Sequence, residues 1–294
     1  MVTLTAEWLQ LEQALGARPV LQGSAEDIQA QFKDISIEGV KCRIYTPVSQ
    51  RAPRPVGIYT HGGGFISGDL VSEDPLCRAI ADAVDCVIVS LDYRLGPEHK
   101  LPAMLQDTLA VYQWAWENVS QLGGDRDAFF SIGGSAGGGL ALAIANHYAQ
   151  RPDTKKYIKG VVAIVPVLCT GKMYLLNSKR TISRTSKTQL MCRLLTSPPW
   201  NHSMAVEADP NDSRIFTALS PHHRDFPPTY ICTCGADPLR DDGTVMEKAL
   251  RKSGVPTKLT TYPNLPHYFW IFPDLEASGE FIKDVIAGTN WVIS

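Results

Sequence analysis

The sequence lacks the marks of several large functional classes. It holds no run of 18 apolar residues, so no segment is expected to span a bilayer. Its start, MVTLTAEWLQLEQALGARP, has no basic stretch leading into an apolar one, as a secretory leader would. Positive charge is not in excess: 28 Lys and Arg against 30 Asp and Glu leave a net charge of −2, which argues against a dedicated nucleic-acid binder. No His, Cys and Asp cluster has metal-ligand spacing, so no metal or other cofactor is expected. The seven cysteines are odd in number and scattered, which suits buried reduced thiols better than disulfides. Cys232 and Cys234 are expected on opposite faces of one strand. There is no internal repeat and no low-complexity tract. These absences point to a soluble, cytoplasmic protein with neither a nucleic-acid partner nor a membrane span.

What is present is an alternation. Hydrophobic residues make up 44% of the chain, enough for a sizeable core. Residues 5–30 carry helical periodicity, and FKDISIEGVKCRIYTP reads as a hairpin turning at Glu38-Gly39. From residue 55, short β-branched runs (PVGIYT, CVIVSLDY, AFFSIGG, GVVAIVPVL, TYICTCGA, TKLTTYP) alternate with helical stretches near 74–84, 103–120, 137–150, 239–253 and 274–287. Apolar strands separated by helices predict an α/β fold: a mostly parallel sheet covered on both faces. Residues 170–220 break the rhythm and are too long for a plain connection, so they are expected to form a helical cap or lid. The division that follows is a cap segment over 1–45, a core over 46–169 and 221–294, and a cap insertion over 170–220.

The sharpest local feature is AFFSIGGSAGGGLALAIANHYAQ, where five glycines surround Ser135 at the joint of a predicted strand and helix. No lysine follows them, so a phosphate-cradling loop does not fit, and they lie too late in the series for a dinucleotide fingerprint. Gly133, Ser135 and Gly137 fit G-x-S-x-G, in which a strained turn lifts a nucleophilic serine above the sheet. Consecutive glycines in His61–Gly64 follow another strand and could aim backbone N–H groups at one point, as an oxyanion requires. Asp237 follows a third strand, where a helix N-cap is the plainer reading. His267 follows the last strand. The order Ser135, Asp237, His267 is the one expected for this elbow type, unlike the other serine-hydrolase arrangements. That agreement assigns the glycines to Ser135 and makes His267 the base and Asp237 its orienting acid.

With those residues in view, the chain resembles the hormone-sensitive-lipase-like α/β-hydrolases, a group that includes microbial carboxylesterases. The resemblance runs from CRIYTP to the terminal helix through HGGGF, SLDYRLGPEHKLPAMLQD, GGSAGGGLA, SPHHRDFPPTYICTCGADPLRDDG and LPHYF. It implies the α/β-hydrolase fold and a serine carboxylesterase acting on a small-molecule ester. It also implies an oxyanion hole from Gly62, Gly63 and the N–H of Ala136. Acyl transfer or lactone closure by the same triad, and a non-catalytic receptor, are the alternatives. Phe65, Trp200 and Tyr268 are candidate substrate contacts, with Tyr174, Met191, Leu194 and Leu195 as further apolar cap residues. One departure stands out: the family pattern usually has an acid just before the nucleophile, and here Gly134 takes its place. Between Arg151 and Met204, ten basic residues face a single acid, Asp153. A solvated lid surface is the plain reading, and attraction of an acidic substrate or acyl carrier the functional one. A homodimer is the expected assembly.

Overall fold

In the computed structural model the described residues are 29–49, 51–151, 153–168 and 211–294. Eight strands form one sheet in the order β1-β2-β4-β3-β5-β6-β7-β8. The edge hairpin is β1 (Gln31–Ile37) and β2 (Val40–Thr46), turning at Glu38 and Gly39 with φ of 50° and 83°. Positive φ at both turn residues matches the right-handed strand twist, so the pair closes in two residues. β2 also runs antiparallel to β4 (Val87–Asp92). All remaining pairings are parallel: β4 with β3 (Arg54–Thr60), then β5 (Gly124–Gly134), β6 (Gly160–Ile164), β7 (Thr229–Cys234) and β8 (Thr257–Tyr262).

Five α-helices among the described residues cover the two faces. One face carries α2 (Ala103–Glu117), α3 (Ala136–Ala149) and α4 (Arg240–Lys252), whose Met104, Leu105, Leu140, Met246 and Leu250 pack with Val56, Ile58 and Val89. The other carries α1 (Asp74–Val84) and α5 (Glu276–Ile293), whose Ile80, Phe281 and Val285 pack with Tyr59, Ile88 and Phe130. Strand neighbours such as Ile58 and Tyr59 therefore feed opposite cores, as the two-residue period requires. α1 shows the reason for its own orientation: Leu76, Cys77, Ile80, Ala81 and Val84 recur at helical spacing and are the residues it buries. α3 differs, being buried nearly all round.

The expected α/β alternation is present, with α5 running on to Ile293 rather than stopping near 287. The cysteine expectation needs correcting. Residues two apart on a strand share a face, and Cys232 and Cys234 lie in the same core cluster, buried and free. Burial pushes the Cys232 thiol up to about 12, which keeps it protonated. The expected helix over 5–30 and most of both expected cap segments fall outside the described residues. Among the described residues, no helix is long and apolar enough to cross a membrane.

Candidate active site

The C-terminal ends of β3, β5, β7 and β8 converge on one edge of the sheet. Ser135 sits between β5 and α3 at φ 53° and ψ −116°, a conformation that side-chain-bearing residues avoid. Its surroundings hold it there: its N–H donates to Ile164 O at 2.8 Å, and its carbonyl accepts from Val167 N at 3.0 Å. The glycines make the turn possible by close approach. A Cβ on Gly137 would fall 1.9 Å from the carbonyl oxygen of Thr60, so β3 and the helix start can touch only where no side chain intervenes. The Thr60 hydroxyl closes the same contact by donating to Gly137 O at 2.7 Å.

His267 and Asp237 arrive from the loops after β8 and β7. His267 Nδ1 lies 2.7 Å from Asp237 Oδ2, and its Nε2 lies 3.0 Å from Ser135 Oγ. A carboxylate can only accept, so the imidazole proton sits on Nδ1, and Nε2 is left to accept from the serine hydroxyl. The Asp237 side chain is fully buried, whereas that of His267 keeps 28% exposure, an opening toward a reactant. Asp237 is not the helix N-cap of the plainer reading: α4 begins at Arg240 with Leu239 as its cap residue. Its second oxygen instead accepts the N–H of Leu239 at 2.8 Å, which fixes the carboxylate's orientation.

The glycine turn after β3 lies against the serine's elbow: a Cβ on Gly62 would fall 3.2 Å from the carbonyl oxygen of Gly134. Gly63 and Gly64 have φ of 120° and 64°, and the Gly63 carbonyl accepts from Ile66 and Ser67. Tyr93 donates to the His61 carbonyl at 2.8 Å and stacks on its ring at 4.1 Å, while Gly96 N donates to Phe65 O at 2.8 Å. The DYRLG stretch thus clamps the glycine turn. Ala136 opens α3, and the first i→i−4 bond runs from Gly139 N to Ser135 O. N–H groups in the first turn have no acceptor inside the helix and form the positive end of its dipole, next to Ser135.

A chain with this sheet order, this strained serine and this Ser-His-Asp relay has well-defined kin. The sequence profile of the α/β-hydrolase fold matches residues 57–271. The chain belongs to the α/β-hydrolase family. A versiconal hemiacetal acetate esterase of Dothistroma septosporum is 38% identical over 98% of this chain and 94% of its own. A thermostable carboxylesterase from a metagenomic library, EstE1, superposes with a TM-score of 0.76 at 26% identity over 98% of this chain and 95% of that one. Vibralactone cyclase superposes with a TM-score of 0.80 at 27% identity, over 97% and 90%. The hormone-sensitive-lipase-like branch expected from the motifs holds, and its relatives include several named as esterases or carboxylic ester hydrolases.

Of the candidate substrate contacts in this hydrolase, Phe65 lines an apolar cavity of about 20 Å³ with Leu105, Leu140, Ile215 and Phe216. Tyr268, partly exposed beside His267, turns its hydroxyl inward to Glu73 Oε1 at 3.1 Å. Trp200, Tyr174, Met191, Leu194 and Leu195 lie outside the described residues. Sequence reasoning missed Glu73 and Tyr93. Glu73 looks like an ordinary acid before a helix, yet it is 4% exposed.

Proposed function

We propose that this hydrolase cleaves a short-chain, acetate-type ester of a small to medium organic molecule through an acyl-enzyme on Ser135. The observation that carries the reading is the relay itself, with Ser135, His267 and Asp237 in line at 3.0 and 2.7 Å. His267 takes the serine proton as Oγ attacks the ester carbonyl, then returns it to the leaving alcohol, while Asp237 stabilises the imidazolium. Water follows the same path in reverse to release the acid. The N–H groups of Gly62, Gly63 and Ala136 receive the oxyanion, each contributing about 3 kcal/mol to the transition state. The name of the Dothistroma relative, an acetate esterase, supports the short acyl chain. A cyclase shares the fold, but the sequence relatives at 30% identity or more include several named esterases, which supports hydrolysis. The basic stretch expected to draw an acidic carrier lies largely outside the described residues and plays no part in it.

The test combines labelling and product analysis. The wild-type chain is expected to take up a fluorophosphonate and to release free acid from p-nitrophenyl acetate faster than from the octanoate. Ser135→Ala should lose both reactions while keeping the fold. A wild-type chain that never labels overturns the triad reading. A lactone or transferred ester that outweighs free acid from a hydroxy-ester donor overturns hydrolysis, and a preference for octanoate overturns the short acyl chain.

A further inference from the structure

The buried carboxylate of Glu73 joins two parts of the site that the relay does not join. Its Oε2 accepts from Tyr59, on β3 just before the glycine turn, at 3.0 Å. Its Oε1 accepts from Tyr268, the residue after His267, at 3.1 Å. Glu73 occupies the N-cap position of α1, yet its side chain makes no capping bond and is turned inward instead. Burial holds the Tyr59 hydroxyl protonated, so it stays a donor.

Tyr268 is shaped by this contact. It lies in the left-handed region, φ 60° and ψ 29°, which a tyrosine occupies only when its surroundings over-determine it. Its ring centroid stands 5.0 Å from that of His267 and 4.5 Å from that of Trp270. Its hydroxyl oxygen fills the space where side chains on two glycines would go. A Cβ on Gly62 would fall 2.1 Å from it, and one on Gly134 2.2 Å. Gly62 belongs to the oxyanion turn and Gly134 precedes the nucleophile, so one phenol oxygen wedges between both and is tied to a buried acid.

We propose that Glu73, acting through the Tyr268 hydroxyl, is a positioning residue for the ester-cleaving site, bracing the His267 loop against the oxyanion turn and the nucleophile elbow. The inference rests on the esterase reading above. It also accounts for the bare backbone at Gly134: the support that a side chain there would give comes instead from the base loop. A carboxylate suits the role because it accepts at both oxygens, one for each phenol. An amide at position 73 would present a donor to one of the two phenols and break half of the brace.

The experiment measures kcat and KM for p-nitrophenyl acetate, and melting temperature, across two mutant cycles. Glu73→Gln and Tyr268→Phe are each expected to lower kcat about tenfold with KM within about twofold, because a slight misplacement of the base acts on chemistry rather than on binding. Acting through one contact, the two together should cost no more than the worse one alone. Gly134→Ala should lower both kcat and melting temperature in the wild-type chain, and neither any further in the Tyr268→Gly background, where the wedge is gone. Single variants with unchanged kcat, losses that multiply, or a loss confined to KM overturn the brace. So does an equal effect of Gly134→Ala in both backgrounds. A wild-type chain that hydrolyses no ester overturns the esterase reading instead, and the melting-temperature cycle still decides the packing half of the inference.

Discussion

The proposed nucleophile and the proposed base of this site are held in opposite ways. Ser135 is fixed by backbone: strand, turn and helix meet so closely that the Gly137 Cα has no room for a Cβ, and peptide groups of Ile164 and Val167 complete the grip. His267 is fixed by side chains. Asp237 holds its ring, Tyr268 reaches Glu73, and Trp270 stacks on Phe281 of α5 at 4.0 Å with nearly parallel rings. The difference teaches which changes each half tolerates. The elbow should fail when atoms are added, and the base loop when atoms are removed.

Four outcomes would sharpen or break that contrast. The largest effect is expected from Asp237→Asn, which keeps shape but leaves the wrong imidazole tautomer. It should lower kcat by about 10⁴ while moving the melting temperature little. A kcat within a few-fold of wild type, measured with p-nitrophenyl acetate, would remove Asp237 from the relay and leave it only its bond to Leu239. Next comes Gly137→Ala on the elbow. One added methyl must push β3 and α3 apart, so unfolding free energy from urea titration should fall by about 4 kcal/mol and labelling should drop with it. A mild effect would show that the elbow yields, and the contrast would fail.

Trp270→Ala removes a ring that is 4% exposed from the base loop. The cost should be about 3 kcal/mol of stability, with kcat falling as the loop loses its anchor. If stability falls and kcat holds, the loop is anchored by the Glu73 brace and Asp237 alone. The smallest effect is expected from Tyr93→Phe, which deletes a single hydrogen bond to the His61 carbonyl and keeps the ring stack. It should cost about 1 kcal/mol. Because that bond steadies the proposed oxyanion turn, the loss should appear in kcat more than in KM, which stopped-flow or steady-state kinetics can separate.

Much of this was legible because it is local. G-x-S-x-G around Ser135, the glycines after His61 and the hairpin at Glu38-Gly39 each state a backbone geometry within a few residues. The order of Ser135, Asp237 and His267 added the long-range part, since each follows a different strand of one parallel sheet. The cysteine expectation failed on a rule of strand geometry rather than on hidden information. Glu73 stayed hidden for a different reason. Nothing near it in the chain distinguishes it from the exposed acids that begin helices, and Tyr268, its partner, is 195 residues away.

The sequence by itself determined the alternation of strands and helices, the parallel sheet, the strained serine and the identity of the three residues that meet there. It could do so because hydrophobic periodicity and glycine placement act on neighbouring residues, and because a parallel sheet brings strand ends to one edge whatever the details. Only the tertiary structure decided what steadies those residues: Tyr93 on the glycine turn, the second Asp237 oxygen on Leu239, and a buried Glu73 shared by Tyr59 and Tyr268. Those contacts depend on which distant side chains share a few ångströms of buried space, and that is fixed by packing across the sheet, not by any spacing along the chain.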